Sequence, residues 1–377
     1  MRISKPVSVP SAPISPAWNR GMARRIETDC PLLAHNTFGM DVRADRFVEY
    51  HSEAELVEAL QMLRGERLLN IGGGSNLLFC GDFHGTVLRS AIDSVSVLPR
   101  PVAHSRTVAD DGSVCVRVGS GHCWDAFVAH ALENGWYGAE NLSGIPGDVG
   151  ASAVQNIGAY GAEIKDLVVK VEAINAETCE KRVFAVEECG YAYRDSIFKR
   201  PENKKYIITY VTYRLLTAFT PNLSYKALAD RFAGRTGGLR PAFGAADIRR
   251  EVVAMRGEKL PNPALLGNAG SFFMNPVVPE SVYERLAAQY PEMPHYAAGE
   301  GFVKLSAAWL IDRSGWKGRS LGPAGVYEKQ PLVLVNRGGA TGRDILALAE
   351  AVIADVSARF GVTLSMEVNQ IPGDLAM

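Results

Sequence analysis

Residues 144–161 read GIPGDVGASAVQNIGAYG, with five glycines in eighteen residues, Asp148 as the one charge, and no Lys or Arg. Glycine loses more conformational freedom on folding than any other residue, and a surface loop has no need of five. Backbone stripped of side chains in this way belongs where something large approaches closely. A second stripped stretch, NIGGGSNLL at 70–78, follows a short apolar run. It is neither GxGxxG nor the GK[ST] of a P-loop, and a triple glycine standing alone also serves as a tight turn. As a pair, two neutral glycine-rich loops after apolar strands offer N–H groups that hold a phosphate without a basic side chain. A pyrophosphate held this way suits a large dinucleotide bound noncovalently, and the missing fingerprint argues against a nicotinamide-binding Rossmann fold.

The rest of the chain sets the frame for that ligand. At 377 residues it is long for one core, which implies two or three domains. A net charge of −1 supplies no chain-wide field for nucleic acid or an anionic membrane, so any basic site must be a local pocket. The six cysteines form no CxxC and no Cys/His ligand spacing, so they read as reduced thiols and imply no metal. Residues 1–28 are rich in Pro, Ser and Arg and read as a disordered tail. Proline interrupts that segment before a signal-type apolar core forms, and no run approaches a membrane span. The expectation is a cytoplasmic protein with no membrane insertion.

Alternation of strands and helices points to an α+β chain. SEAELVEALQML (52–63) carries a Ser–x–x–Glu capping box, and CWDAFVAHALENG is an amphipathic helix that stops at Gly135. LVVKVEAINAET, KRVFAVEE and YIITYVTYRLL read as strands, and a proline turn near 218–224 marks a boundary. Beyond it, AADIRREVVAMRGEKL, VKLSAAWLIDRSG and residues 341–361 read as helices, QPLVLVN as a strand, and VTLSMEVNQIP as a closing strand.

Three further stretches carry side chains of chemical interest. YAYRDSIFK (191–199) sets Tyr193, Arg194, Asp195 and Lys199 among apolar residues, which on its own also describes a surface Arg–Asp pair. GNAGSFFMNP (267–276) puts Ser271 after small residues and before two Phe, where an isolated Ser also reads as a turn or cap. Glu367 lies on an alternating stretch whose ordinary reading is a solvated face.

Taken in order, NTFGM, GGGSNLL, GIPGDVGASAVQNIGAYGAE, YRDSIFK, KLPNP, GNAGSFFMNP, KLSAAWLID, QPLVLVN and SMEVNQIP resemble the UDP-N-acetylenolpyruvoylglucosamine reductase family of bacterial cell-wall precursor synthesis. The resemblance runs from residue 36 to 372 and favours the longer class, in which a mobile tyrosine covers the substrate. It implies a vanillyl-alcohol-oxidase-type FAD domain of two α/β subdomains (29–95 and 96–220). A substrate-binding α+β domain (221–360) and a C-terminal strand returning to the active site (361–377) would follow. FAD would be noncovalent and NADPH the reductant; UDP-N-acetylglucosamine enolpyruvate would be the substrate and the protein a monomer. FAD would lie against Gly72, Gly73, Gly74, Ser75 and Asn76, and against Ile145, Pro146, Gly147, Gly150, Ala151, Ser152, Asn156, Gly158 and Gly161, with Arg256 nearby. Arg194 would neutralise charge on the substrate carboxylate, Ser271 would donate a proton to carbon, and Glu367 would pair with Arg194 or hydrogen-bond the enolate. Tyr225 would be the covering tyrosine. Tyr160, Tyr193, Lys259, Asn275, Tyr296, Lys304, Lys317 and Gln330 would contact the nucleotide-sugar.

The chain departs from the family pattern at four positions. Ala153 stands where Pro is frequent, Tyr327 where His is common, Met274 where a cation often contacts phosphate, and Asn369 where Arg is frequent near the flavin. Two other readings compete. A flavin oxidase of the same fold would often tether FAD through His or Cys, which neither glycine-rich loop contains. A UDP-sugar-binding protein without catalysis would not require Arg194, Ser271 and Glu367 together.

Overall fold

The computed structural model describes residues 26–99, 112–235 and 242–373. Most of the expected N-terminal tail therefore lies outside the described residues, but 26–28 belong to strand Ile26–Pro31. Its antiparallel partner is Arg43–Tyr50, after which Phe83–Ser90 and Leu68–Ile71 add in parallel to complete a four-stranded sheet. Parallel neighbours need a crossover, and helix Glu53–Met62 provides it. Ser52 caps that helix by accepting from Glu55 N at 3.2 Å, while Glu55 Oε2 accepts from His51 N, one residue before the expected box partner.

The second sheet has five antiparallel strands ordered Lys181–Ala185, Val168–Asn175, Tyr206–Leu216, Ser113–Gly119 and Val95–Val97. Trp124, Phe127, Tyr213 and Val211 fill the core between it and helix Trp124–Glu133. The two sheets share a smaller core in which Tyr50, Leu56 and Leu88 meet Ile174 and Ile207. The other face of the first sheet merges with the C-terminal half: Phe47, Phe79 and Val87 belong to one core with Phe272, Leu310, Leu348 and Phe360. The first sheet is thus a shared wall, covered on both sides by other units.

Helices Lys226–Arg231 and Ala245–Lys259 form their own cluster around Phe232, Phe243 and Ile248, which reaches back to Tyr160 and Phe219. The Arg249–Asp125 ion pair ties that cluster to the second sheet's helix. Packing therefore divides the expected 221–360 unit, since these helices face the second sheet while the strands and helices after residue 266 share the first sheet's core. Two local readings change as well. In VKLSAAWLIDRSG only Ala307–Arg313 is helical, because Phe302–Leu305 is recruited as the middle strand between Val277–Pro279 and His295–Ala297. The closing strand shortens to Asn369–Ile371, parallel to Leu77–Phe79, after a bridge between Phe273 and Met366.

One ion network around buried Glu172 ties the second sheet to the crossover helix Glu53–Met62. Arg117 grips Glu172 with two bonds of 2.7 and 2.8 Å, and Lys181 reaches both Glu172 (2.7 Å) and Glu53 (3.0 Å). Burial alone would raise the Glu172 pKa, but bonds from Arg117 and Lys181 outweigh it and bring the carboxyl from 4.5 to about 2. A depressed carboxyl stabilises the fold above its unfolded pKa and loses that contribution as pH falls through the folded value. Glu172→Gln should cost about 2–3 kcal/mol at neutral pH and flatten the loss of stability between pH 4.5 and 2. Urea unfolding across that range measures both effects.

Candidate active site

The strand Leu68–Ile71 ends at the sheet edge where ligands of open α/β sheets bind, and the chain then runs into Gly72, Gly73 and Gly74. Gly74 has left-handed backbone (φ 65°), and a Cβ there would stand 2.1 Å from His35 O, so no side chain is tolerated. Thr37 fixes this loop to the C-terminal half: its N–H donates to Gly74 O at 3.2 Å and its hydroxyl to Asn268 O at 2.6 Å.

The second glycine-rich stretch lies directly against the first. A Cβ on Gly73 would stand 3.2 Å from Gly147 Cα, and one on Gly147, where φ is 105°, would stand 2.8 Å from Ser75 Oγ. The absent side chains thus first bring the loops onto one another. The consequence is electrostatic. Among the described residues, the N–H groups of Gly72, Gly73, Gly74, Ser75 and Asn76 meet no protein acceptor, nor do those of Ile145, Gly147 and Ala151. Such converging unpaired donors form a cradle for an anion.

A cavity of about 760 Å³ opens over these loops, within the range of small-molecule and cofactor sites. Its walls include Gly72 to Asn76, Ile145, Pro146, Gly150, Ala151, Ser152, Gly158 and Arg256. Arg256 is held by a 3.0 Å bond from Nε to Gly144 O. Gly147, Asn156 and Gly161, expected beside the cofactor, do not line it. Asn156 is a buried left-handed helix end bonded to Ala192 O at 2.7 Å, and Gly161 is packed under Ser224.

Arg194, Ser271 and Glu367 all face this same cavity. Arg194 occupies left-handed backbone (φ 54°), a conformation that costs a non-glycine residue about 1–3 kcal/mol and persists only when its surroundings enforce it. The enforcement is visible. Ala192 and Asp195 bridge across the turn, and Lys199 Nζ donates to Arg194 O at 2.8 Å and to Gln155 Oε1 at 3.2 Å. The guanidinium then donates to Gly158 O at 2.5 Å and stands 3.3 Å from Glu367 Oε1.

Glu367 is positioned by both halves of the molecule. Its N–H donates to Phe272 O at 2.8 Å, and its carbonyl accepts from Asn76 Nδ2 at 3.3 Å. Burial raises the Glu367 pKa above the ordinary carboxylate value, against the pull of Arg194 and Lys199. The same burial pushes Lys199 down. Ser271 ends strand Gly267–Ser271, where a bulge after Asn268 and left-handed Gly270 turn the chain. Its hydroxyl has no hydrogen-bond partner among the described residues.

The expected sugar-contacting residues fall into groups. Lys304 Nζ lies 4.6 Å from the Tyr193 ring and 5.8 Å from that of Tyr296, while Arg194 flanks Tyr193 at 5.4 Å. Asn275 joins this shelf through Tyr193. Tyr160 and Tyr225 meet edge to face at 5.3 Å beside the helix that carries Arg256. None of these nine residues lines the cavity itself, and three stand apart from both groups: Lys259, Lys317, which is paired with Asp312 at the surface, and Gln330, which closes a turn to Leu332 N. Conversely, Thr37, Ser120, Gln155 and Asn268 line the cavity without having been singled out for it, and Lys199, noted in YAYRDSIFK without a role, seats Arg194. Except for Ser120, their signal lay inside quoted segments, where Gln155 precedes NIGAYG and Thr37 stands in NTFGM.

A dinucleotide-sized cavity over a neutral N–H cradle, with a cation, a hydroxyl and a carboxyl on one wall, defines the flavin-binding class. A family profile described as "FAD binding domain" matches residues 44–178, and one described as "UDP-N-acetylenolpyruvoylglucosamine reductase, C-terminal domain" matches 262–371. The chain is 50% identical over 350 residues to the UDP-N-acetylenolpyruvoylglucosamine reductase of Bacteroides fragilis (strain YCH46), covering 92% of this chain and all of that one. It is 46% identical to that of Porphyromonas gingivalis (strain W83), covering 92% and 99%. The solved UDP-N-acetylenolpyruvylglucosamine reductase of Thermus caldophilus shares the fold, at TM-score 0.61 and 23% identity, over 93% of this chain and 100% of that chain. This chain belongs to the UDP-N-acetylenolpyruvoylglucosamine reductase family, with an FAD-binding domain and a C-terminal α+β domain.

The loop contact makes a direct prediction. Gly147→Val adds a branched side chain at positive φ against Ser75 and should separate the two loops. The folded variant should purify with little flavin, read as visible absorbance per protein, whereas full flavin content would remove the loop contact from cofactor binding.

Proposed function

We propose that this chain reduces the enolpyruvyl ether of UDP-N-acetylglucosamine to UDP-N-acetylmuramate through FAD, with NADPH as reductant. The observation that carries the reading is the convergence of Arg194, Ser271 and Glu367 on one cavity with the unpaired N–H groups of both glycine-rich loops. Family membership supports the substrate and the flavin; NADPH rests on the family resemblance. FAD held by the two glycine-rich loops would supply two-electron hydride carriage between the nicotinamide and the terminal vinyl carbon.

The residues of the chain handle the charge and the proton. Hydride arrival leaves negative charge delocalised from the neighbouring carbon into the substrate carboxylate. Arg194, its orientation enforced from below by Lys199, is the cation for that charge. Glu367 holds the guanidinium in place and, when protonated, donates a hydrogen bond to the enolate oxygen. Ser271 delivers the proton to carbon from Oγ. A serine hydroxyl is a weak acid in water, but a C–H formed next to a carboxylate is weaker still, so the transfer runs downhill.

The nucleotide-sugar is held by the Tyr193, Lys304, Tyr296 and Asn275 shelf, with Tyr225 closing over it and Lys259, Lys317 and Gln330 meeting the diphosphate and uridine. Those last three must draw inward for that role, since Lys317 is paired with Asp312. Substrate and nicotinamide share the site in turn, and both are cytoplasmic metabolites, which supports a cytoplasmic protein; no helix among the described residues is long and apolar enough to cross a membrane.

Ser271→Ala separates the two half-reactions. Anaerobic bleaching of the flavin by NADPH should proceed at near its normal rate, because that step needs no proton from Ser271. Reoxidation by the enolpyruvyl substrate should slow by roughly 10²–10⁴, the scale of a general acid. Ser271→Cys, with a more acidic thiol, should recover part of that rate. Rapid-mixing absorbance follows each half, and equal slowing of both would assign Ser271 to the turn alone.

A further inference from the structure

Asp148 is the one charge in the second glycine-rich stretch, and neither the proposed chemistry nor the local fold uses it. It stands at the start of helix Val149–Gln155, yet its side chain makes no cap bond. It is 8% exposed, lines the cavity, and its Oδ2 is buried with no hydrogen-bond partner. The carboxyl faces the first loop: Oδ2 lies 3.4 Å from where a Cβ on Gly72 would sit, and Oδ1 3.4 Å from that of Gly73. A buried carboxylate without a donor is costly, and it becomes more so when a pyrophosphate enters the same cradle.

We propose that Asp148 is a proton-coupled member of the cofactor cradle: it takes one proton from solvent as FAD binds and holds it in the complex, so that the cradle presents no carboxylate to the incoming phosphates. This rests on the reading of the cavity as an FAD site. Burial raises the Asp148 carboxyl from 3.8 to about 6 even before a phosphate is present, against the pull of Arg89 and His122. Arg89 is turned toward Glu49, and His122 is bonded to Asp93, so both side chains are partly engaged elsewhere. The first glycine loop and helix Val149–Gln155 bring no charge to Asp148.

The sign follows from which form binds. At pH below about 6 Asp148 is already neutral and FAD affinity is independent of pH. Above it each bound FAD must draw in a proton, so the dissociation constant rises up to about tenfold per pH unit until the carboxyl of the complex itself ionises. A phosphate site governed by cations alone has no such proton uptake at Asp148.

The test is release of FAD from the full-length holoenzyme on dilution, followed by recovery of flavin fluorescence between pH 5.5 and 8.5. The wild type should show an affinity that falls with pH with a slope approaching one proton. Asp148→Asn should bind FAD with no such slope and more tightly than wild type at pH 8. His122→Gln, which removes the imidazole beside Asp148, should keep the wild-type slope. A flat wild-type profile overturns the proposal whether or not Asp148→Asn folds, and so does a slope that survives in Asp148→Asn or vanishes in His122→Gln. Failure to retain FAD at any pH would instead overturn the cofactor reading on which the proposal stands.

Discussion

The contact on which the site depends is that of two backbones with almost nothing between them. Gly73 and Gly147 approach within the space of a missing Cβ, and this closeness brings unpaired N–H groups from both loops to one spot. Unsatisfied backbone donors away from water are costly, so a fold that gathers them in this number is built for a guest that accepts. The donors carry no formal charge. A chain with net charge −1 can therefore hold a pyrophosphate without a standing cluster of lysines.

That contact is supported from both sides, which explains why the first sheet has no core of its own. One face is covered by the second sheet through Ile174 and Ile207, the other by Phe272, Leu348 and Phe360. Thr37 stitches the first loop to the strand that ends in Ser271, and Asn76 binds the carbonyl of Glu367. The reacting wall is thereby referenced to the cradle itself. Arg194 reaches the same wall from the second sheet and is kept in an unfavourable conformation by Lys199 beneath it. Strain of that kind is tolerated where geometry matters more than stability.

Much of this was legible in the sequence, and what was not has physical reasons. Ser52 marks its helix start through local capping, and the helix read over 341–361 forms as Gly342–Phe360. The glycine-rich loops and the trio Arg194, Ser271 and Glu367 were legible because their identities survive in short ordered segments. Partnerships were not. Nothing near Lys199 in sequence shows that its ammonium seats the Arg194 carbonyl. Nothing near Asp148 tells that its neighbours withhold a donor from it. Residues 303–305 read as helix because local periodicity extends into Ala307–Arg313, whereas two flanking strands claim them in the fold. The glycines were legible as space for a ligand, but much of that space is taken by the other loop.

The account stands or falls on the cradle. Hydrogen–deuterium exchange of the flavin-stripped full-length chain should show fast exchange in peptides covering 72–76 and 144–151, and strong protection of both together when FAD is added. Riboflavin, which carries the ring system without the pyrophosphate, should leave the two peptides exchanging as before. Equal protection by riboflavin, or protection by FAD of one loop alone, would contradict the claim that the paired loops exist to receive a phosphate.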